Sequence, residues 1–213
     1  MIAIIDYGAG NLRSVAKAIA GLGYEARVTS SPDEVLNADA VILPGVGAAG
    51  DTMNSLEALG MADPIRQVVA QNRPFFGVCL GLQVLFGNSE EGGGQRCLDL
   101  IPGMVRRLPP HLKVPHMGWN QVSQRMAHPL FEGIPDGANF YFVHSYYADP
   151  EEKAIIAGET EYGVSFPSVI IKGNLVATQF HPEKSGDLGL KMYHNFLKFG
   201  LGGRYGGHPR HRP

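Results

Sequence analysis

Through the N-terminal half of the chain, short continuous apolar runs alternate with stretches whose apolar residues recur at three- and four-residue intervals. Ile2 to Asp6 (IAIID) reads as a buried strand. Leu12, Val15, Ala16, Ile19 and Leu22 then trace one face of a helix, with Asn11 placed to cap its start and Gly23 to stop it. A strand near Glu25 to Val28 follows, then AVILPG at Ala40 to Gly45, a helix around Pro64 to Gln71, and PFFGV at Pro74 to Val78. Runs that are apolar at every position suit parallel strands covered on both faces, and their alternation with helices marks βαβ units. The expected fold is an open, mostly parallel α/β sheet flanked by helices. Ligands gather beyond the carboxyl ends of such strands, where Asp6 to Asn11, Pro44 to Gly47 and Cys79 would all emerge.

From about Gly92 the texture changes to Gly/Pro-broken pieces. MVRRL, NFYFVHSYY, YGVSF, SVIIKG and LVATQF read as hairpins and added antiparallel strands in the C-terminal half. Leu188, Met192, Phe196 and Phe199 give a closing helix, from about Ser185 to Phe199, an apolar stripe for core packing. Beyond Gly200, LGGRYGGHPRHRP is Gly-rich and basic with no period. Residues 1–200 are expected to form one domain and 201–213 a disordered tail, whose histidines read as solvated groups rather than metal ligands. There is no internal repeat.

Composition narrows the function. A chain of 213 residues suits one α/β domain that buries roughly 70% of its unfolded surface. A net charge of −2 offers no basic stripe for nucleic acid. With only Cys79 and Cys97, and no charged-then-apolar leader before the first strand, the chain fits a reducing cytoplasm. No apolar run approaches the ~20 residues that cross a bilayer. No cofactor or metal is called for.

The candidate chemistry centres on FFGVCLGLQVLF, Phe75 to Phe86. A cysteine in an apolar run is ordinarily a small hydrophobe. Here it has a glycine two positions to either side and stands between a strand and a helical pattern starting at Leu80, as α/β enzymes present a nucleophile on a sharp turn. A free thiol, pKa about 8.5, needs a base, a positive neighbour or a helix N-terminus to react near neutral pH. QFHPEKS supplies His181 directly after the run LVATQF, with Glu183 two residues on, where an extended chain turns both side chains the same way. Glu183 can then fix the tautomer of His181 and stabilise its imidazolium. Acyl transfer also needs oxyanion donors, each worth roughly 3 to 4 kcal/mol. In PGVG, Pro44 to Gly47, two glycines free the backbone so that the N–H of Val46 can point into the site opposite that of Leu80.

Together FFGVCLGLQ, PGVG and HPEK resemble the class I glutamine amidotransferases. IIDYGAGNLRSV, LPGVGAAGDTM, VPHMGWNQV, NFYFVHSYYA and ATQFHPEKSG are most similar to the glutaminase subunits of imidazole glycerol phosphate synthases, over about Met1 to Leu197. The resemblance implies a Cys79-His181-Glu183 triad that hydrolyses L-glutamine through a γ-glutamyl thioester, with oxyanion donors at Val46 and Leu80. It implies that Gly47, Gln83, Glu91, Ser145 and Tyr146 hold the glutamine head group. It also implies a heterodimer with a (β/α)8-barrel cyclase subunit that takes the ammonia, through an interface including Asn11, Trp119, Tyr141 and Lys184. The alternatives are a glutaminase serving another pathway, such as pyridoxal phosphate, anthranilate or GMP synthesis, and a binding subunit of the same fold without chemistry. A further expectation is low activity without the partner, because the PGVG loop can rest with its N–H turned away. The chain departs from the family at Gly87-Asn88, where relatives often carry acidic residues, and in its basic tail.

Overall fold

The computed structural model describes residues 1–8 and 10–202, so the expected disordered tail lies almost wholly outside the described residues. The elements run β1 (Ile2–Ile5), α1 (Leu12–Gly21), β2 (Ala26–Thr29), α2 (Pro32–Asn37), β3 (Ala40–Leu43), α3 (Ala49–Ala58), α4 (Ala62–Ala70), β4 (Phe75–Val78), α5 (Leu80–Gln83) and β5 (Phe86–Ser89). There follow β6 (Gln95–Arg96), β7 (Ile101–Arg107), β8 (His116–Gln124), β9 (Ala138–His144), β10 (Tyr146–Pro150), β11 (Ile156–Glu161), β12 (Ser165–Lys172), β13 (Leu175–Thr178) and α6 (Gly186–Gly200).

Nine strands form one sheet in the order β2-β1-β3-β4-β13-β12-β11-β8-β9. It is parallel from β2 to β13 and antiparallel from β13 to β9. The parallel strands β1, β3, β4 and β13 are buried at every position, which is why they read as unbroken apolar runs. Two apolar cores cover the two faces, one including Val41, Leu56, Ile65 and Phe75, the other Ile4, Phe76, Phe142, Met192 and Phe196.

Several elements differ from their sequence reading. Asn11 stands at the N-cap of α1 but makes no side-chain cap bond, whereas Gly23 follows the helix at φ +86° as a stop should. The helix after Cys79 is a single turn, because Phe86–Ser89 departs at once into a second, four-stranded sheet, β10-β7-β5-β6. NFYFVHSYY divides at Ser145 between the two sheets. YGVSF is a hairpin turn with Gly163 at φ +66°, followed by the start of β12.

Candidate active site

Register assembles the site. β4 lies between β3 and β13, with Leu43 opposite Gly77 on one side and Thr178 opposite Val78 on the other. The loops leaving β3 (PGVG) and β13 (QFHPE) therefore flank Cys79 at the carboxyl end of β4, a crevice of the kind open α/β sheets use for ligands. The Cys79 N–H donates to the Thr178 carbonyl at 2.7 Å, fixing the height of the residue. Glycine makes the close approach possible: a Cβ on Gly45 would collide with Leu80 and Gly81, and one on Gly81 with the Leu43 carbonyl.

Cys79 itself adopts φ 53°, ψ −105°, a conformation that L residues other than glycine rarely take. The turn brings the thiol, though largely buried, to the wall of the crevice. Its Sγ lies 3.7 Å from the Val143 carbonyl and 3.7 Å from Gln179 Nε2. His181 Nδ1 lies 2.9 Å from Glu183 Oε1, both side chains 1% exposed, and the Tyr193 hydroxyl reaches Glu183 Oε2 at 3.5 Å. Glu183 accepts at Nδ1 and so keeps that proton in place, leaving the buried Nε2 for the reaction. Burial by itself would lower the His181 pKa, but hydrogen bonding and charge from Cys79 and Glu183 outweigh it and raise the pKa to about 9.

A pocket of about 340 Å³ opens over the thiol, lined by Val46, Gly47, Cys79, Leu80, Gln83, Glu91, Pro115, Val143, His144, Ser145, Tyr146 and His181. All the residues expected to hold the glutamine head group are on its wall, beside both expected oxyanion positions. Gln83 spends its amide hydrogens on the Tyr146 carbonyl (2.8 Å) and on Gln179 Oε1 (3.2 Å), which leaves its oxygen as an acceptor. Glu91 accepts from the Ala49 N–H at 2.6 Å and ties the rim to α3. The Val46 backbone lies beside the buried hydroxyl of Tyr7, whose pKa burial raises.

Trp119 and Tyr141 face each other across β8 and β9, their rings edge to face with centroids 6.1 Å apart, and Lys184 Nζ stands 6.0 Å over the Tyr141 ring. Asn11 opens α1, which packs against the 3-10 turn Pro182–Lys184. Met117 at 63% and Trp119 at 57% exposure make an apolar surface beside Pro115 and Val143 of the pocket. Sequence reasoning missed Pro115, Val143, His144 and Gln179. The available signals were a histidine ending the NFYFVH run and a glutamine two residues before His181.

The family model of glutamine amidotransferase class-I matches residues 3–199. The chain belongs to the class-I glutamine amidotransferase family. Over 202 residues this amidotransferase is 58% identical to the imidazole glycerol phosphate synthase subunit HisH of Dehalococcoides mccartyi, covering 95% of this chain and 98% of that protein. It is 54% identical over 203 residues to the HisH subunit of Chloroflexus aurantiacus, covering 93% and 96%. A crystal structure of a glutamine amidotransferase superposes with TM-score 0.74 at 21% identity, covering 94% of this chain and 99% of that one, a likeness of fold. Among the described residues no helix is long and apolar enough to cross a membrane.

Proposed function

We propose that this amidotransferase is the glutaminase subunit of an imidazole glycerol phosphate synthase and acts in histidine biosynthesis. The carrying observation is that Cys79, His181 and the expected glutamine-holding residues line one pocket, in a chain 58% identical to a HisH subunit. Cys79 gives its thiol proton to His181 Nε2 as its Sγ attacks the side-chain amide carbon of L-glutamine, and the oxyanion that forms is held by the backbone N–H groups of Leu80 and Val46. His181, as imidazolium, gives its Nε2 proton to the departing nitrogen, so the C–N bond breaks to release ammonia and leave a γ-glutamyl thioester. Neutral His181 then takes a proton from water as it attacks. Collapse of the second tetrahedral adduct gives glutamate and returns the thiol. Glu183 keeps the imidazole in the tautomer both steps need.

The ammonia passes to a cyclase subunit of the (β/α)8-barrel type, which forms imidazole glycerol phosphate and AICAR. The two subunits form a cytoplasmic heterodimer through the surface of Asn11, Trp119, Tyr141 and Lys184. Residues 1–200 act as one domain. Replacing Cys79 with Ala in the complex should abolish glutamine hydrolysis; turnover that survives removes Cys79 as nucleophile. Capture of a different synthase, without binding to the histidine-pathway cyclase, overturns the pathway.

A further inference from the structure

The mechanism leaves out one buried group that touches the reacting sulfur. Gln179 is 0% exposed and directly follows β13, level with Cys79 across the parallel pairing of Thr178 with Val78. Its Nε2 lies 3.7 Å from Sγ, and its Oε1 accepts from Gln83 at 3.2 Å.

The direction of this amide is forced. The Tyr146 carbonyl can only accept, so the Gln83 atom 2.8 Å away is the nitrogen. The second hydrogen of that nitrogen meets Gln179 Oε1, which turns the NH2 end of Gln179 toward the sulfur. The Tyr146 carbonyl is itself held by a second donor, His144 Nδ1–H at 2.9 Å. That assignment makes His144 Nε2 the acceptor from His116 Nδ1–H at 2.9 Å, and His116 Nε2 the acceptor from Asn120 Nδ2 at 3.2 Å. One chain of donors and acceptors thus runs from β8 through the pocket wall to the nucleophile, and no member can reverse alone.

The other polar neighbour of Sγ has the opposite polarity. The Val143 carbonyl can hold only the protonated thiol, by accepting S–H, whereas the Gln179 N–H also holds the charged form. A donor to the charged form favours it.

We propose that Gln179 is a further catalytic residue, whose side-chain N–H donates to Cys79 Sγ and supports its thiolate separately from His181. This rests on the assignment of Cys79 as nucleophile. The test follows Cys79 alkylation by iodoacetamide against pH, in the cyclase complex and the free subunit, with the site of modification read by mass spectrometry. Cys97 stays out of the reading, since burial and the nearby Glu91 push its thiol up to about 11. In Gln179→Met the alkylation midpoint should rise by roughly one pH unit, with a tenfold slower reaction below it. An unchanged midpoint, with a rate lowered equally at all pH values, indicates a packing role and overturns the proposal.

Should the Met variant fail to fold, the unsubstituted protein labelled with 15N-glutamine gives the answer. One buried side-chain amide should titrate at the alkylation midpoint and lose that titration in Cys79→Ala. Absence of such an amide overturns the proposal. The reading is of thiol ionisation, so failure here leaves the nucleophile standing, and only turnover by Cys79→Ala would remove it.

Discussion

Replacing Glu183 with Gln keeps the shape of the site and removes one charge from a pair that is 1% exposed on both sides. The carboxylate accepts from His181 Nδ1 at 2.9 Å. The Tyr193 hydroxyl lies near Oε2, where it can accept from the new NH2 group, so the substituted amide keeps its oxygen toward His181. The tautomer therefore survives and the loss is mainly electrostatic. A hydrogen bond to a charged group contributes about 1.5 to 3 kcal/mol, so the imidazolium should be disfavoured by a factor of roughly ten to a hundred.

His181 stands at about 9 with both partners present, against a burial effect that lowers it, so the variant imidazole should move toward neutral at pH 7. Glutamine hydrolysis measured with the cyclase bound should then fall about ten- to a hundredfold in kcat/KM. The stability signature has a definite sign. A folded pKa raised above the unfolded value gives stability that is complete below about 6.5 and is lost as pH rises through about 9. Urea midpoints of the unsubstituted protein should decline between pH 6.5 and 9, and those of Glu183→Gln should decline less. A variant within threefold of full activity, with an unchanged pH–stability curve, would refute this account of the pair.

Three further outcomes are expected. Burial pushes the His144 pKa down to about 3, so folding stability should fall as pH drops from about 6.5 toward 3, by up to about 1.4 kcal/mol per pH unit from this group, and His144→Gln should flatten that slope in denaturant titrations. Gly81→Ala places a methyl against the Leu43 carbonyl and should cost about 3 kcal/mol, read as a lowered Tm with reduced alkylation of Cys79. Trp119→Ala, at a side chain 57% exposed, should weaken cyclase binding at least tenfold by calorimetry while the free subunit keeps its fold.

The inner parallel strands were legible because both their faces are covered, so strands such as Ala40–Leu43 carry no polar position to confuse the pattern. α3 was missed although Thr52, Met53 and Leu56 have helical spacing: the buried face starts on Ala49 and includes a threonine, which weakens the apolar signal. The run through Val84, Leu85 and Phe86 is buried throughout, so periodicity could not mark where α5 gives way to β5. Likewise nothing in NFYFVHSYY records a change of sheet, since strand-favouring aromatic residues stand on both sides of Ser145. In the site, His181 and Glu183 were legible as neighbours in sequence. Gln179, His144 and His116 were not, because their meanings come from the register of β13 with β4 and of β8 with β9.

β9 joins the two halves of the problem. It edges the nine-stranded sheet, with Phe140, Phe142 and His144 turned inward and Tyr141 and Val143 half-buried on the other face. Its backbone holds both reacting groups: the Tyr141 carbonyl accepts the His181 N–H at 3.0 Å, and the Val143 carbonyl lies 3.7 Å from Cys79 Sγ. The outward surface around Tyr141, with Trp119 opposite, is the proposed cyclase contact. A partner seated there bears on the strand that sets the separation of nucleophile and base. A close-packed interior passes on such a load instead of absorbing it. Cyclase binding should therefore change the Cys79 alkylation rate at fixed pH, and Trp119→Ala should shrink that change at saturating cyclase. Equal rates in the free and bound unsubstituted subunit would show that β9 does not transmit the contact.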